Sequence, residues 1–246
     1  MENTLYLGLS RQIVLQNNLD IVANNIANVN TNGFREQSPV FEEYLADPRG
    51  NGDPLSFVLD YGQYQNTAPG SITQTGNDMN VALNGPGFLA VQLPDGRTGY
   101  TRDGSFTKDA NGQIVSANGY PLSPAITIPS NALSVSVSRD GIVTISQPGV
   151  AAPTPIGNVQ LANFVNNGGL QSTGQNLYVE TASSGTPTPN TPGTNGTGVL
   201  NQGYVETSNV NVAEELVNMI VAQRGYEMNS KAITTTDQML ARLTRL

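Results

Sequence analysis

Four aspartates have the residue type needed for the carboxylate pair of a glycoside hydrolase: Asp95, Asp103, Asp109 and Asp140. Such an enzyme needs one carboxyl group that protonates the leaving oxygen and a second that acts as nucleophile or base. Each of these aspartates lies in an Asp-Gly or similar turn sequence. Aspartate is common in turns because its side chain hydrogen-bonds to the backbone two residues later. Turn formation explains all four carboxylates, so we predict no catalytic residue.

The composition removes most other catalytic and metal chemistry. The 246 residues contain no histidine and no cysteine. The usual zinc ligands, the Ser-His and Cys-His nucleophile pairs and the commonest general base near neutral pH are therefore missing. Gly85 and Gly87 suggest a phosphate loop, but no Lys-Ser or Lys-Thr follows them, and a tight turn is the better interpretation. We expect no enzymatic activity, no metal and no cofactor.

The charge pattern argues against nucleic-acid and membrane partners. The formal net charge is -8, and the 11 lysines and arginines are scattered, so no basic patch is predicted that could neutralise phosphates. Residues 1–5 lack the basic region and apolar stretch of a cleavable signal, and no window approaches 18 apolar residues. We expect neither a secretion signal of this kind nor membrane insertion.

Apolar periodicity predicts a helix over residues 5–32. Its apolar positions alternate in steps of four and three: Leu15, Leu19, Val22, Ile26 and Val29. Thr4 is the predicted N-cap, and Gly33 is the predicted C-cap in the left-handed conformation. A stripe this narrow is typical of a seam between two helices.

The C-terminal end carries a seven-residue repeat, which predicts a second helix with a coiled-coil partner. The repeat consists of Val212, Met219, Tyr226, Ile233 and Leu240. Asn211 and Glu214 form a plausible capping box at its start. The complementary seam positions are expected at Leu216, Gln223, Ser230 and Asp237, so half of that layer is polar. Because such a helix is weak alone, we expect both terminal helices to be incompletely ordered until neighbouring subunits cover them.

The central part of the chain has the pattern of a β-domain. Short runs rich in Val, Ile and Ser alternate with turn sequences: Pro94-Asp95-Gly96, Asp103-Gly104, Asn111-Gly112, Asn118-Gly119 and Asp140-Gly141. We expect a mainly antiparallel β-domain over residues 78–181. Residues 37–77 are predicted to be an extended linker, and residues 182–204 a mobile low-complexity loop with a return segment.

The predicted fold class is α+β. Residues 1–36 and 205–246 are expected to pair in a discontinuous, coiled-coil-like helical domain, into which the β-domain is inserted. On this division, a chain lacking residues 1–36 or 205–246 should keep a folded β-domain.

Three blocks of sequence resemble the signature segments of the flagellar rod, hook and hook-associated proteins. The first is Ala-Asn-Asn-Ile-Ala-Asn-Val-Asn-Thr-Asn-Gly-Phe at residues 23–34. The second comprises residues 84–88 and 100–106, and the third comprises residues 202–211 and 222–227. Because the blocks cover both ends and the middle in order, the resemblance is specific, and the chain is identified as a member of this family.

The resemblance implies a structural subunit that polymerises into the rod of the bacterial flagellar basal body, the helical drive shaft that carries motor torque to the hook across the periplasm. It implies partners among further copies, other rod and hook proteins, and the flagellar type III export apparatus. Residues 1–35 and 41–45 resemble proximal rod proteins, whereas residues 124–246 resemble distal rod proteins, so both positions stay open. The alternatives are an extracellular or phage-tail-like structural β-protein, or a peptidoglycan hydrolase.

On this resemblance, the apolar seam residues become candidate subunit contacts: Leu15, Leu19, Val22, Ile26, Val29, Val212, Leu216, Met219, Tyr226, Ile233 and Leu240. The family motif contributes Asn24, Asn25, Asn28, Asn30, Thr31, Gly33 and Phe34. Its asparagines could form a hydrogen-bonded ladder across subunits, or belong to a frayed helix end where asparagine competes for backbone groups. Phe34 is interpreted as a small apolar anchor after the cap.

Overall fold

The computed structural model describes residues 2–46 and 55–243. Within residues 2–6, 42–46, 55–61, 240 and 242–243 only the backbone is described. The described residues contain two long helices and many short strands, all paired antiparallel, so the expected α+β class is confirmed. None of the helices in this part of the chain is both long enough and apolar enough to cross a membrane.

The helices are α1 Glu2–Ala27 and α2 Val212–Leu243, with a 3-10 turn at Asn167–Gly169. The first strands are β1 Gln37–Ala46, β2 Leu55–Gln65, β3 Ile72–Gln74, β4 Val81–Asn84, β5 Phe88–Gln92, β6 Thr98–Thr101, β7 Thr107–Lys108 and β8 Ile114–Val115. The remaining strands are β9 Ser134–Val137, β10 Ile142–Ser146, β11 Thr154–Asn158, β12 Leu161–Asn163, β13 Gln171–Gly174, β14 Leu177–Val179, β15 Thr188–Asn190, β16 Val199–Gln202 and β17 Tyr204–Glu206.

The chain divides into two compact units. Unit 1 takes residues 1–29, 36–66 and 210–246, and unit 2 takes residues 30–35 and 67–209. The division is discontinuous, but its boundaries differ from those expected. Residues 30–35 and 205–209, assigned above to the terminal helical domain, belong to unit 2 instead.

Unit 1 is built on contacts between α1 and α2. The Asn229 side chain donates a hydrogen bond to the Gly8 carbonyl at 2.7 Å, and Leu15 lies beside Gly225. The start of α1 therefore meets the end of α2, and the two helices run antiparallel. A β-carbon on Gly8 would lie only 2.8 Å from Ile233 Cγ1, so glycine lets the backbones approach closely here.

The first helix is shifted from its predicted bounds. It begins at Glu2 and ends at Ala27, so Thr4 lies inside the helix and is not its N-cap. Gly33 does adopt a left-handed φ of 68°, but it follows the last helical residue by six positions and lies in unit 2. The C-cap prediction was wrong. Glycine is needed at position 33 because the backbone of Arg102 lies close to it.

Residues 37–77 are not the extended linker that was expected. Strands β1 and β2 pair antiparallel from Gln37 opposite Gln65 to Ala46 opposite Leu55, with a bulge between Val40 and Phe41. The linker was predicted from the average composition of residues 37–77. The Gly, Pro and Asn residues are in fact concentrated around 47–54, and the runs on either side are rich in the branched and aromatic residues that favour strands.

Unit 2 contains the β-core. Its largest sheet has the strand order β13-β14-β6-β5-β12-β15, and a second sheet has the order β11-β10-β9. Short pairs join β16 to β4 and β17 to β3, which brings the end of the unit back to its beginning. The main core consists of Val81, Leu83, Leu89, Phe106, Ile114, Leu122, Ile126, Ile128, Val143, Ile145, Val159, Leu161 and Leu200.

Most predicted turns are present in unit 2, but two local expectations fail. The residues at 94–96, 111–112, 118–119 and 140–141 form turns, whereas Asp103-Gly104 does not, because Gly104 is packed against the Val81 carbonyl. Residues 182–204 are not a simple mobile loop. They contain β15 and β16, and Ser184 and Thr197 are buried.

Gly33 and Gly76 offer a matched pair for testing tertiary constraint. Both have nearly the same positive φ, 68° and 69°, but a β-carbon on Gly33 would lie 2.5 Å from the Arg102 carbonyl carbon, whereas one on Gly76 would meet nothing within 4 Å. We expect Gly76→Ala to lower the free energy of unfolding by about 1 kcal/mol through backbone strain. Gly33→Ala should lower it by about 3 kcal/mol, since overpacking is added.

Urea unfolding followed by tyrosine near-UV circular dichroism measures both variants, because Tyr100 and Tyr178 are buried in unit 2. Equal losses in the two variants would show that the contact with Arg102 does not constrain Gly33.

Candidate functional site

Two arginines and one glutamate form a buried charge cluster in unit 2. The side chains of Arg35, Arg102 and Glu206 are 7%, 3% and 1% exposed. Arg35 Nη2 lies 2.8 Å from Glu206 Oε1, and Arg102 Nη2 lies 2.8 Å from Glu206 Oε2. Arg102 Nε also donates to Oε2 at 2.9 Å. Each oxygen of the carboxylate is thus held by a different arginine.

Backbone groups satisfy the remaining donors of the cluster. Arg102 Nη1 donates to the carbonyls of Gly85 and Gly87 at 2.8 and 2.7 Å, and Arg35 Nη1 donates to the carbonyl of Ala68. Burial lowers the pKa of both guanidinium groups, and the Glu206 carboxylate opposes this effect. Arginine stays charged because its ordinary pKa is so high. The cluster therefore carries one excess positive charge, which the carbonyl dipoles face.

The cluster joins the three sequence blocks. Arg35 directly follows the first block, Arg102 lies in the second, and Glu206 lies in the third. Sequence reasoning missed all three residues. A signal was available, because charged residues make up only 12% of the chain and Arg35 and Glu206 each follow an apolar residue. That signal could mark burial, but it could not identify the partners.

The end of the family motif is built into unit 2. The Gly33 amide donates to the Glu206 carbonyl at 2.7 Å, and the Asn32 side chain donates to Ser105 Oγ at 2.9 Å. The Asn176 side chain donates to the Asn32 carbonyl at 2.7 Å, and Phe34 is buried. Deleting residues 1–36 or 205–246 would therefore remove part of the charge cluster. We therefore expect the β-domain to survive only deletions that end before residue 30 or begin after residue 209.

The earlier asparagines of the motif bond within unit 1. Asn25 is fully buried, and its side chain donates to the Gln37 carbonyl at 2.8 Å while accepting from the Gln37 amide at 2.9 Å. These two hydrogen bonds fix the end of α1 against the start of β1. The Asn28 side chain donates to the Asn24 carbonyl at 2.9 Å. Asn30 is exposed and Thr31 is half-buried, and a ladder across subunits remains a proposal.

The predicted seam residues divide into two groups. Most of them are buried or half-buried in unit 1: Leu15, Leu19, Val22, Ile26, Val29, Met219, Tyr226 and Ile233. Val212 and Leu216 are exposed, and the side chain of Leu240 lies outside the described residues.

The complementary positions of the α2 seam are only partly those expected. Ala222 is buried and Asn229 and Thr236 are half-buried, three residues after each repeat position. Of the expected positions, Ser230 is half-buried, whereas Leu216, Gln223 and Asp237 are exposed. On a helix with 3.6 residues per turn, both the third and the fourth residue neighbour a seam position. The partner helix decides which one is covered, and here small residues such as Ala222 and Gly225 face α1.

A second apolar stripe on α2 is exposed. We call it the outer stripe, and it consists of Leu216, Val217, Ile220, Val221 and Met228, each 47% to 68% exposed. On α1, Leu9 and Ile13 are also exposed. Contiguous exposed apolar surface of this kind marks an interaction site more often than it occurs by chance.

The four aspartates considered for hydrolysis form local turn bonds. Asp95, Asp103 and Asp109 each accept a bond from the backbone amide two residues later, at 2.9 to 3.0 Å. Asp140 accepts a bond from the Ser138 hydroxyl. The described residues hold no group of three potential metal ligands. These bonds support the interpretation of Asp95, Asp109 and Asp140 as turn residues, and they give Asp103 a local structural role although Asp103-Gly104 does not form a turn.

Glu206→Gln tests the charge cluster. The substitution keeps the size of the side chain but leaves two buried guanidinium groups without a carboxylate, so we expect the free energy of unfolding to fall by about 3–5 kcal/mol. Glu180→Gln is the control, since Glu180 is an exposed glutamate of the same unit, and its loss should stay within about 0.5 kcal/mol. Urea unfolding measures both, and equal small losses would contradict the importance of the cluster.

Comparisons with known proteins cover the same three blocks. Residues 5–35 match the family model described as flagella basal body rod protein, and residues 82–145 match the flagellar hook protein FlgE/F/G D1 domain. Residues 201–246 match the flagellar basal body rod FlgEFG protein C-terminal model.

Three relatives extend this likeness over nearly the full length. The chain is 49% identical to the flagellar basal-body rod protein FlgG of Buchnera aphidicola subsp. Schizaphis graminum, over 97% of this chain and 96% of the relative. It is 41% identical to FlgG of Caulobacter vibrioides over 94% of both chains. It is 37% identical to FlgF of Caulobacter vibrioides, over 97% of this chain and 95% of that one. The protein therefore belongs to the flagellar basal-body rod proteins, a structural family and not one of enzymes.

Proposed function

We propose that this chain is a subunit of the distal rod, which polymerises into the helical drive shaft that transmits motor torque to the hook across the periplasm. The observation that carries the proposal is the outer stripe, an exposed apolar surface on a helix that already buries its opposite side against α1. A monomer gains nothing from this surface. A subunit that packs against further copies and other rod and hook proteins gains stability by covering it.

The size of the outer stripe supports a polymer contact. Burying one Val, Leu, Ile or Met side chain contributes about 1.5–3 kcal/mol when it passes from full exposure to full burial. Five side chains that are about half to two thirds exposed therefore offer several kcal/mol per subunit. Contacts of this kind between unlike surfaces need not close into a ring and can continue as a helix.

The packing of α1 against α2 fixes the orientation of the outer stripe on the surface of unit 1. We interpret the pair as a coiled-coil-like unit into which unit 2 is inserted, with the seam residues holding the two helices in register. The polar Asn229 on that seam bonds to the Gly8 backbone, so it can fix the register while weakening the pair. A weak pair suits a chain that passes unfolded through the flagellar type III export apparatus and settles on assembly.

The distal position is favoured over the proximal one by the relatives. FlgG proteins match this chain over 97% of its length at 49% identity, so the similarity includes the N-terminal half as well as residues 124–246. The likeness to an FlgF protein is 37% over the same share. The hydrolase alternative loses its support, because the aspartates on which it rests are engaged in local hydrogen bonds.

Complementation of swimming tests the position in the rod. The chain is expressed in two non-motile strains, one lacking the distal rod protein and one lacking the proximal rod protein. We expect swimming to return in the first strain alone. Rescue of the second strain alone would overturn the distal position, and rescue of neither would speak against this chain as a functional rod subunit in that host.

Val221→Asn tests the outer stripe. Valine and asparagine have similar helix propensities, so the monomer should keep its helix content while losing an exposed apolar contact. We expect the fraction of swimming cells in the rescued strain to fall at least tenfold. Val165→Asn is the matched control, since Val165 is 95% exposed in unit 2 and should tolerate the same change. Full motility of Val221→Asn, with unchanged circular dichroism, would remove the stripe from the assembly contact.

A further inference from the structure

Glu215 is a buried acid that nothing in the proposed assembly uses. It lies in the first turn of α2, in unit 1, and is 3% exposed. Its Oε2 atom is buried, and none of the described residues forms a hydrogen bond with it. The Asn25 side chain hydrogen-bonds to its carboxyl group, and this is the same Asn25 that holds the backbone of Gln37. Glu215 therefore sits where the end of α1, the start of β1 and the start of α2 come together.

The charges that act on Glu215 from the described residues are both negative. Glu36 precedes β1, and its carboxyl group accepts a bond from the Asn66 side chain at 3.0 Å. Glu214 is exposed on the same helix. From α1, Asn25 is neutral and donates. The positive end of the α2 dipole favours an ionised carboxyl group here, but burial and the two negative neighbours oppose it. Burial, followed by Glu36, raises the pKa of Glu215.

We propose that Glu215 is a proton-dependent latch, whose protonated form lets the first turn of α2 dock on α1 and on the segment before β1, and whose ionisation releases that turn. An ionised carboxyl group that is buried with one oxygen unpaired carries a larger desolvation cost than the protonated form does. The latch is a property of the single subunit. It goes beyond the proposed function and does not depend on assembly.

The direction of the pH dependence follows from the raised pKa. A carboxyl group with a higher pKa in the folded state contributes stability that is full below its ordinary pKa and is lost as the pH rises through the raised value. Each unit by which the pKa is raised on docking corresponds to a tenfold loss in the equilibrium constant for docking across the titration. Acid should therefore tighten the start of α2, and neutral or alkaline pH should loosen it.

Hydrogen exchange of the full chain tests the latch. Backbone amides in peptides covering residues 210–222 are measured from pH 4 to pH 8, with rates corrected for the intrinsic effect of pH. We expect protection in the unaltered chain to fall as the pH rises through the titration of Glu215, by a total factor of ten for each unit by which its pKa is raised. Glu215→Gln should make protection independent of pH, whereas the control Glu214→Gln should follow the unaltered chain. An unchanged pH dependence in Glu215→Gln, or none in the unaltered chain, would overturn the proposal.

If Glu215→Gln folds poorly, titration of the Glu215 carboxyl group in the unaltered chain tests the latch instead. Carbon-13 NMR of the Glu215 carboxyl group in the unaltered chain should show a midpoint above the ordinary glutamate value. Glu36→Gln removes the neighbouring negative charge while keeping an acceptor for Asn66, so the midpoint should move down. An ordinary midpoint for Glu215 that Glu36→Gln does not change would refute the latch.

Discussion

The carboxylate of Glu206, held between Arg35 and Arg102, is the constraint on which unit 2 depends. A buried ion cluster contributes little net stability when complete, but it becomes costly when any partner is missing, because an uncompensated charge is left in the interior. The cluster therefore selects which fold forms more than it increases the stability of that fold. Only an arrangement that brings Arg35 from the first segment of unit 2, Arg102 from its middle and Glu206 from near its end to a single point satisfies all three charges.

Both ends of the chain carry residues that make contacts within each of the two units. In the first block, Asn25 closes onto Gln37 in unit 1, while Gly33 and Arg35 lie in unit 2. In the last block, Glu206 completes the charge cluster of unit 2, and Glu215, which lies between the two parts of that block, is buried in unit 1. Each unit therefore requires residues from both ends of the chain, and neither can be completed by the central sequence alone.

Unit 1 differs from unit 2 in how much apolar surface it leaves exposed. Unit 2 buries most of its large apolar side chains in three core clusters, whereas α2 carries one stripe against α1 and the outer stripe in solvent. The polar Asn229 and the buried acid Glu215 further limit the stability of the helix pair. A helical unit that is rich in exposed apolar surface agrees with the proposed packing of this subunit against its neighbours.

The sequence by itself determined the features that depend on near neighbours along the chain. The heptad of α2, the stripe of α1, most of the Asp-Gly and Asn-Gly turns and the α+β class all arise from periods of a few residues, and the ordered blocks determined the family. Tertiary structure alone decided the rest. The partner helix selected Ala222 over Gln223 as a seam residue, the pairing of β1 with β2 overrode a linker-like composition, and Gly33 was required by its approach to Arg102. The cluster of Arg35, Arg102 and Glu206 joins residues far apart in the chain, and no local pattern can reveal which buried charges will meet.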